Sequence, residues 1–280
     1  MLDLRYHALS LVAVFLALGI GIVLGTTIGD QLVSEANRDL SSSLRRDVTE
    51  ARSASRAARR ALDNREAFIG ASFVRIAGDR LRGRRVAIVS YGELPREVEN
   101  GARDAVQDAG GEVASVSEIV APPQLEQLGE VVGERFDGLR PDDDRIPALG
   151  RTVGRAVASG SGLAERLEDR FPERFRGEFP AADALAYFRE PDEDRSDDQE
   201  RFEQGLIDGM RTVRSPLVGV ETLDTDPSQV GFYEDRMPAS VDSMDTAGGR
   251  IALVLALAGA RGSFGFKDTA DAPLPEPRGR

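Results

Sequence analysis

The chain has 280 residues, enough for about two domains, and its 41% hydrophobic content is sufficient to form a core. A net charge of -12 argues against a general nucleic-acid-binding protein. The absence of cysteine excludes disulfides, cysteine-ligated zinc, iron–sulfur clusters and thiol catalysis, and the single histidine, His7, excludes a histidine-based metal site or a Ser-His-Asp triad in the folded part.

Residues 1–29 are predicted to be an N-terminal tail followed by a transmembrane anchor. No charged residue occurs between Ala8 and Ile28, and 21 helical residues span about 30 Å, the thickness of a bilayer core. A cleaved signal peptide is the alternative, but this apolar run is longer and the segment from Gly25 to Asp30 is a poor cleavage site. We therefore expect a single uncleaved span with the lipid bilayer as its partner.

Small residues recur at every fourth position along one face of this predicted helix: Ala13, Ala17, Gly21, Gly25 and Gly29. In lipid, close backbone packing over small residues is a main source of attraction between helices. The alternative is that glycine is simply frequent in membrane helices. We interpret the stripe as a helix–helix interface that joins two copies of the chain as a homodimer.

The charges nearest the span predict its orientation. Arg5 lies on the N-terminal side, whereas the other flank opens with Asp30 and Glu35. This favours a cytoplasmic N-terminus and an extracytoplasmic domain, although arginines counted over a wider window favour the reverse.

Residues 30–85 are predicted to be a helical stalk, because they contain no proline and their apolar positions alternate at spacings of three and four. This seam comprises Val33, Ala36, Leu40, Leu44, Val48, Ala51, Ser55, Ala58, Leu62, Ile69, Phe73 and Ile76. A self-associating coiled coil is the favoured interpretation, since so long a helix rarely stands alone in water. A solitary solvated helix is the alternative.

Residues 86–267 are predicted to form an α/β domain with a mostly parallel, Rossmann-like sheet. Strand-like and helical segments alternate, which places helices on both faces of such a sheet. The predicted strands are 86–90, 112–119, 184–188, 217–223 and 239–241. The predicted helices are 95–109, 123–136, 146–170, 199–213 and 244–260, and the proline-containing tail 268–280 is expected to be loose.

A doubly wound sheet suggests a nucleotide site beyond the carboxyl ends of its strands. The first strand runs into Ser90-Tyr-Gly-Glu-Leu-Pro95, which has neither the G-x-G-x-x-G pattern nor a P-loop lysine, and Glu93 would repel a phosphate. Two acidic stretches, 142–144 and 192–200, lack the spacing of an EF-hand calcium loop. We interpret the stretches as solvated loops and the sheet as a scaffold without a nucleotide.

Met237 and Met244 fall in an acidic segment, residues 234–245, and thioethers are ligands that suit Cu(I). Together with His7 beside the membrane they are the candidate metal ligands. Packing in the core is the alternative for both methionines. No pairing of a base with a nucleophile is evident, so no enzymatic activity, catalytic residue or cofactor-binding residue is predicted.

Segment 3–25, DLRYHALSLVAVFLALGIGIVLG, resembles the opening of the mycobacterial copper transport protein B family of actinobacteria and their relatives. Segment 241–257, VDSMDTAGGRIALVLAL, is similar to the C-terminal signature of that family. With the stalk and the α/β domain between them, the resemblance covers nearly the whole chain.

The resemblance implies an envelope protein anchored in the cell membrane, with an extracytoplasmic coiled coil and α/β domain, that takes part in copper transport (efflux) or copper homeostasis. Copper is the ligand that the resemblance suggests. Family members have also been linked to cell-envelope and cell-separation complexes. The alternative function is therefore a coiled-coil scaffold of such a complex, with other envelope proteins as partners and no metal chemistry of its own.

Overall fold

The computed structural model describes residues 4–192 and 194–276, with side chains for all of these except residues 4–5 and 26–42. The chain divides into two compact units, Met1–Asn64 and Arg65–Arg280. Helix α1 (Leu4–Ile76) makes up the described part of the first unit and ends within the second.

The first unit contains a helical segment, Tyr6–Gly25, that is long and apolar enough to cross a membrane. It has 20 residues and a mean hydropathy of 2.6, and no other helix of the described residues meets these criteria. Its large apolar side chains, such as Leu9, Phe15 and Ile22, are exposed along the helix. By length and composition, this segment is a candidate membrane span, and it overlaps the predicted apolar run, 8–28.

The stalk is helical as predicted as far as Ile76. Residues 77–83 form turns, and the first strand begins at Arg85. Among the seam positions, Leu44, Val48 and Leu62 are exposed. The seam positions Val33, Ala36 and Leu40 lie outside the residues whose side chains are described. The helix is therefore observed, whereas its pairing in a coiled coil stays a prediction.

The second unit is built on a seven-stranded sheet with the order β3-β2-β1-β4-β5-β6-β7. All neighbouring strands are parallel except β3, which runs antiparallel to β2 at one edge. The strands are β1 (Arg85–Tyr91), β2 (Glu112–Ile119), β3 (Phe175–Gly177), β4 (Ala184–Arg189), β5 (Leu217–Val220), β6 (Ala239–Val241) and β7 (Gly262–Phe264). The further helices are α2 (Arg96–Asp108), α3 (Leu125–Val132), α4 (Ile146–Ser159), α5 (Gly162–Arg170), α6 (Asp197–Arg211), α7 (Val230–Glu234) and α8 (Ala247–Leu257), with a 3-10 turn at Glu134–Phe136.

Helices cover both faces of this sheet, so two hydrophobic cores form. Val86 and Ile88 of β1 point into the core under α2 and α8, whereas Ala87 and Val89 point into the core under α3 to α7. A strand with both faces buried needs a continuous apolar run, which explains the uncharged sequence of β1. The predicted mixed α/β class and its mostly parallel sheet are thereby confirmed.

The short elements account for most differences from the predicted elements. Strand β3, helix α7 and strand β7, of three, five and three residues, are absent from the predicted elements, because segments this short seldom carry a readable periodicity. The three-residue strand β6 is the exception. The predicted helix 146–170 is two helices, since Gly160 adopts a φ of 66°. A Cβ at Gly160 would overlap the backbone oxygen of Phe179, so the turn requires glycine there.

The last turn of α1 and the loop after it belong to the core of the second unit. Phe73, Ala77 and Leu81 are buried in the same cluster as β1, and the Leu81 N–H donates to the Ala109 oxygen at 3.0 Å. The carboxylate of Glu66 accepts from the backbone N–H of Ala247, at 2.9 Å, in the first turn of α8. These residues fall within the compact unit Arg65–Arg280.

Helices α4 and α6 pack with their backbones in direct contact through two glycine pairs. Gly150 and Gly154 of α4 face α6, and Gly205 and Gly209 of α6 face α4. A Cβ at Gly154 would overlap the backbone oxygen of Leu206. The pairs share a four-residue spacing, which keeps both members of each pair on one helix face.

The segment after β7 folds back onto the sheet, in contrast to the loose tail predicted from residue 268 onwards. The Asp242 carboxylate accepts from the backbone N–H groups of Phe266 and Lys267, at 2.8 and 3.1 Å. The Asp271 carboxylate accepts from the Ser263 N–H at 3.1 Å, and Leu274 packs against the core. Residues 277–280 of that predicted tail lie outside the described residues.

Candidate functional site

The sheet reverses its strand order between β1 and β4, because the chain moves from β1 to β2 on one side and later to β4 on the other. In open α/β sheets, ligands bind in the crevice beyond the carboxyl ends of the strands at such a switch point. Here the turn after β1 contains Gly92, whose φ is 98° and whose Cβ would overlap the Glu190 side chain. The Glu190 carboxylate accepts from the Glu93 N–H at 3.1 Å, which ties the ends of β1 and β4 together.

An open crevice of about 890 Å³ lies at this switch point. Its walls come from the ends of β1, β2 and β4, the first turn of α2 and the segment around β3. The lining residues are Glu93, Leu94, Arg96, Glu99, Asn100, Glu118, Val120, Ala121, Arg174, Arg176 and Glu190. Its volume is within the range of about 300–1,000 Å³ that is typical of small-molecule sites.

A buried charge network lies beside the end of β4. The Glu203 carboxylate of α6, 1% exposed, accepts from the Tyr187 hydroxyl at 2.7 Å and from the Arg189 Nε at 3.0 Å. The Arg195 guanidinium approaches the same carboxylate at 3.8 Å and lies over the Tyr91 ring. A buried charge is tolerated only when it is paired. These contacts therefore compensate the Glu203 carboxylate and join α6 to the end of β4.

A second buried carboxylate, Glu221, directly follows β5. It accepts hydrogen bonds from the Ser228 hydroxyl at 2.8 Å, the Gln229 N–H at 2.5 Å and the Lys267 ammonium at 2.7 Å. The same ammonium donates to the Thr225 oxygen at 2.7 Å. The ion pair between Glu221 and Lys267 connects the loop after β5 with the segment after β7.

Three tyrosines around these networks have perturbed ionisation. Burial raises the pKa of Tyr91, Tyr187 and Tyr233, and the nearby carboxylates raise it further because they repel a phenolate. For Tyr187 the neighbouring carboxylate is Glu203, and for Tyr233 it is chiefly Glu221. These hydroxyls therefore stay protonated as hydrogen-bond donors.

The structure does not bring the predicted soft metal ligands together. Met237, 7% exposed, lies in the core under α3 to α7, whereas Met244, fully buried, lies in the core under α2 and α8. The sheet separates these two cores. His7 lies in the exposed apolar segment of α1. The described residues contain no group of three or more histidine or acidic side chains arranged to hold a metal ion.

The small-residue stripe of the candidate span faces open space where it is described. A Cβ added at Gly21 or Gly25 would meet no atom within 4 Å, and Ala13 and Ala17 are exposed. Gly29 falls outside the residues whose side-chain surroundings are described. No described residue therefore covers Ala13, Ala17, Gly21 or Gly25, and their role as a helix–helix interface stays a prediction.

The two acidic stretches are held by arginines and backbone groups. Asp143 forms an ion pair with Arg145 at 2.7 Å, and the hydrogen bonds from Arg145 lower the pKa of Asp143 to about 2. Asp198 accepts from the Asp142 N–H at 2.8 Å, and Ser196 and Gln199 form a capping box at the start of α6. Much of the second stretch is therefore a helix start.

The acidic residues that follow the strands were not predicted from the sequence as a group, and Asp242 was noted only as part of the acidic segment 234–245. Glu190, Glu221 and Asp242 each come directly after a buried strand, at β4, β5 and β6. An ionisable residue in that position is a readable signal, since carboxyl ends of parallel strands meet at one edge of the sheet. The partners of these side chains, such as Lys267, are distant in sequence and could not be read from it.

Comparison with known proteins identifies relatives in one family. Residues 1–192 match the family model described as copper transport outer membrane protein, MctB. Proteins named copper transporter MctB from Mycobacterium bovis and from Mycobacterium tuberculosis are 38% identical over 175 residues. The alignment covers 60% of this chain and 52% of each relative, so the chain spans about half the length of these curated relatives.

Proposed function

Because the chain belongs to the family of the copper transport outer membrane protein MctB, we propose that it takes part in copper transport as a membrane-anchored envelope protein. The observation that carries the proposal is the family match over residues 1–192, which includes the apolar segment Tyr6–Gly25 and the crevice. Relatives that are named copper transporters, and that are 38% identical to this chain over 175 residues, support the proposal.

The donor inventory suggests how the chain would act. The whole sequence has no cysteine, one histidine and four methionines, whereas copper is bound by thiolates, thioethers and imidazoles. A single membrane helix cannot enclose a polar path, which requires several helices or a closed barrel. We therefore propose that the chain supports copper movement through an assembly with itself and other envelope proteins, without enzymatic activity.

We propose that the N-terminus is cytoplasmic and the α/β unit extracytoplasmic, as Arg5 next to the apolar segment suggests. Fusions of alkaline phosphatase and of a cytoplasmic-type fluorescent protein at the C-terminus test this orientation. Phosphatase activity is expected. Fluorescence without phosphatase activity would reverse the assignment.

Deleting the gene in its source organism tests the copper role. We expect the deletion strain to accumulate copper and to grow poorly in copper-containing medium, and the wild-type gene to restore both properties. A gene carrying Met237→Leu and Met244→Leu should restore them equally, because both thioethers are packed in separate cores. Unchanged cellular copper together with defective cell separation would contradict the copper role and favour a scaffold.

Direct copper binding is tested on the full chain in detergent micelles, by competition with a chromophoric Cu(I) chelator. We expect weak binding or none. Stoichiometric binding tighter than about micromolar, lost in Met237→Ala/Met244→Ala, would assign copper chelation to this chain itself.

A further inference from the structure

The crevice at the switch point carries charges that no neighbour neutralises. Of its seven charged lining residues, Glu99 and Arg176 form an ion pair at 2.7 Å. The other five form no ion pair with any described residue: Glu93, Arg96, Glu118, Arg174 and Glu190. The Arg174 guanidinium donates to the neutral Gln124 side chain at 3.3 Å, and the Glu190 carboxylate accepts from the Glu93 N–H at 3.1 Å, so neither charge is neutralised. These charges are therefore available to a ligand.

The available charges are ordered along the crevice by the sheet. Arg174 directly precedes β3 at one edge, and Glu118, Glu93 and Glu190 lie at the ends of β2, β1 and β4 in turn. With strands about 4.8 Å apart, the distance from β3 to β4 is about 14 Å. Arg96, in the first turn of α2, is a second unpaired cation and follows Glu93 by three residues. The crevice thus has one guanidinium at the β3 end, and three carboxylates with one guanidinium from β2 to β4.

The arrangement of these charged side chains indicates which class of ligand fits the crevice. A phosphate-bearing nucleotide would face three unpaired carboxylates, which outnumber the two unpaired guanidinium groups of Arg96 and Arg174. A simple cation would leave the Arg174 guanidinium without a partner. A ligand with an ammonium group and a carboxylate about 10 Å apart satisfies both ends. Extended peptides rise about 3.3–3.6 Å per residue, so a peptide of three or four residues has this separation between its termini.

The lining of the crevice also includes three apolar residues, Leu94, Val120 and Ala121. All the residues that line the crevice lie within the segment that matches the family model.

We propose that this crevice binds a short peptide with free termini, its carboxylate at Arg174 and its ammonium at Glu93 and Glu190. The proposal goes beyond copper transport and does not depend on it. Charge-assisted hydrogen bonds at both termini would supply most of the selectivity.

Titration of the full chain in detergent micelles with tri-L-alanine, followed by calorimetry, tests the proposal. Arg174→Gln and Glu93→Gln are each expected to weaken binding about tenfold, because each removes one charge partner. Arg155→Gln and Glu165→Gln, exposed on α4 and α5, are the matched controls and should bind as wild type.

Blocked peptides separate recognition of the termini from general adhesion. Acetylation of the ammonium should remove the effect of Glu93→Gln, and amidation of the carboxylate should remove the effect of Arg174→Gln. Equal binding of the doubly blocked tripeptide, or no binding of the free one at about 10 mM, would overturn the proposal.

Discussion

Three buried tyrosines, Tyr91, Tyr187 and Tyr233, lie between the sheet and the buried charged side chains. The Tyr187 hydroxyl donates to Glu203, and the Tyr233 hydroxyl donates to the Val220 oxygen at 3.0 Å. Each donation requires a protonated phenol. The stability of the α/β unit therefore depends on the ionisation of side chains that are usually regarded as neutral packing.

We expect the free energy of unfolding to fall as the pH rises above about 10, the usual pKa of tyrosine. The pKa of all three tyrosines is raised in the folded chain, so the unfolded chain releases these protons first and is favoured at high pH. Below about pH 10 the three phenols contribute no pH dependence. Urea unfolding at several pH values, on a Tyr6→Phe background, measures this. Tyrosinate absorbance that appears near pH 10 without unfolding would contradict it.

At the scale of single residues, the sequence predicted which side chains are buried better than which side chains contact each other. The buried run from Val86 to Val89 was evident from its lack of charge, whereas the pairing of Glu203 with Arg189 and Arg195 was not. Pairing depends on how α6 lies against β4, which no local pattern encodes. The same reason explains why Met237 and Met244, close in sequence, are in separate cores.

At the scale of elements, the same four-residue spacing of glycines occurs in two different surroundings. Glycines four residues apart bring α4 and α6 into backbone contact within the α/β unit. The same spacing at Gly21 and Gly25 faces open space. Sequence periodicity identifies such a face, but only the tertiary packing shows whether the chain covers that face itself.

Gly154→Ala should destabilise the chain by about 1–3 kcal/mol, because its methyl group would overlap the Leu206 backbone oxygen and force the helices apart. Gly70→Ala is the matched control, since a Cβ there meets no atom within 4 Å. That helical glycine should gain about 0.5–1 kcal/mol on substitution. Chemical unfolding of both variants measures the difference. Equal midpoints would show that α4 and α6 can separate without cost.

Gly21→Ile together with Gly25→Ile should weaken self-association of the apolar segment while preserving its insertion, because bulky side chains keep two backbones apart. A two-hybrid assay for membrane helices measures this association. Gly19→Ile, which adds a similar side chain on another face of the helix, is the control. Association of the double variant at wild-type strength would place any dimer contact elsewhere.

At the scale of the whole molecule, the sequence predicted the α/β class and the order of most elements, but it did not show that the end of α1 contributes to the core of the α/β unit. The switch from helical periodicity to a strand at residue 85 marks a change of secondary structure. Phe73, Ala77 and Leu81 nevertheless belong to the core of the α/β unit. Helix periodicity alone does not distinguish a stalk from a helix that docks on its own domain.

A fragment of residues 65–280 should therefore be more stable than one of residues 86–280. The shorter fragment lacks the buried Phe73 and Leu81, and burial of each such side chain is worth about 1.5–3 kcal/mol. Urea midpoints and the solubility of the two fragments measure the difference. Equal stability would show that the end of α1 is dispensable for the core.

The Lys267 ion pair with Glu221 has a practical consequence, because lysine occurs nowhere else in the sequence. A lysine-specific protease has one cleavage position in the chain, on a segment anchored through its ammonium and its backbone N–H. Cleavage requires that segment to detach, so its rate reports local opening separately from global unfolding. The rate of cleavage at Lys267 thus measures how often the segment after β7 detaches from the sheet.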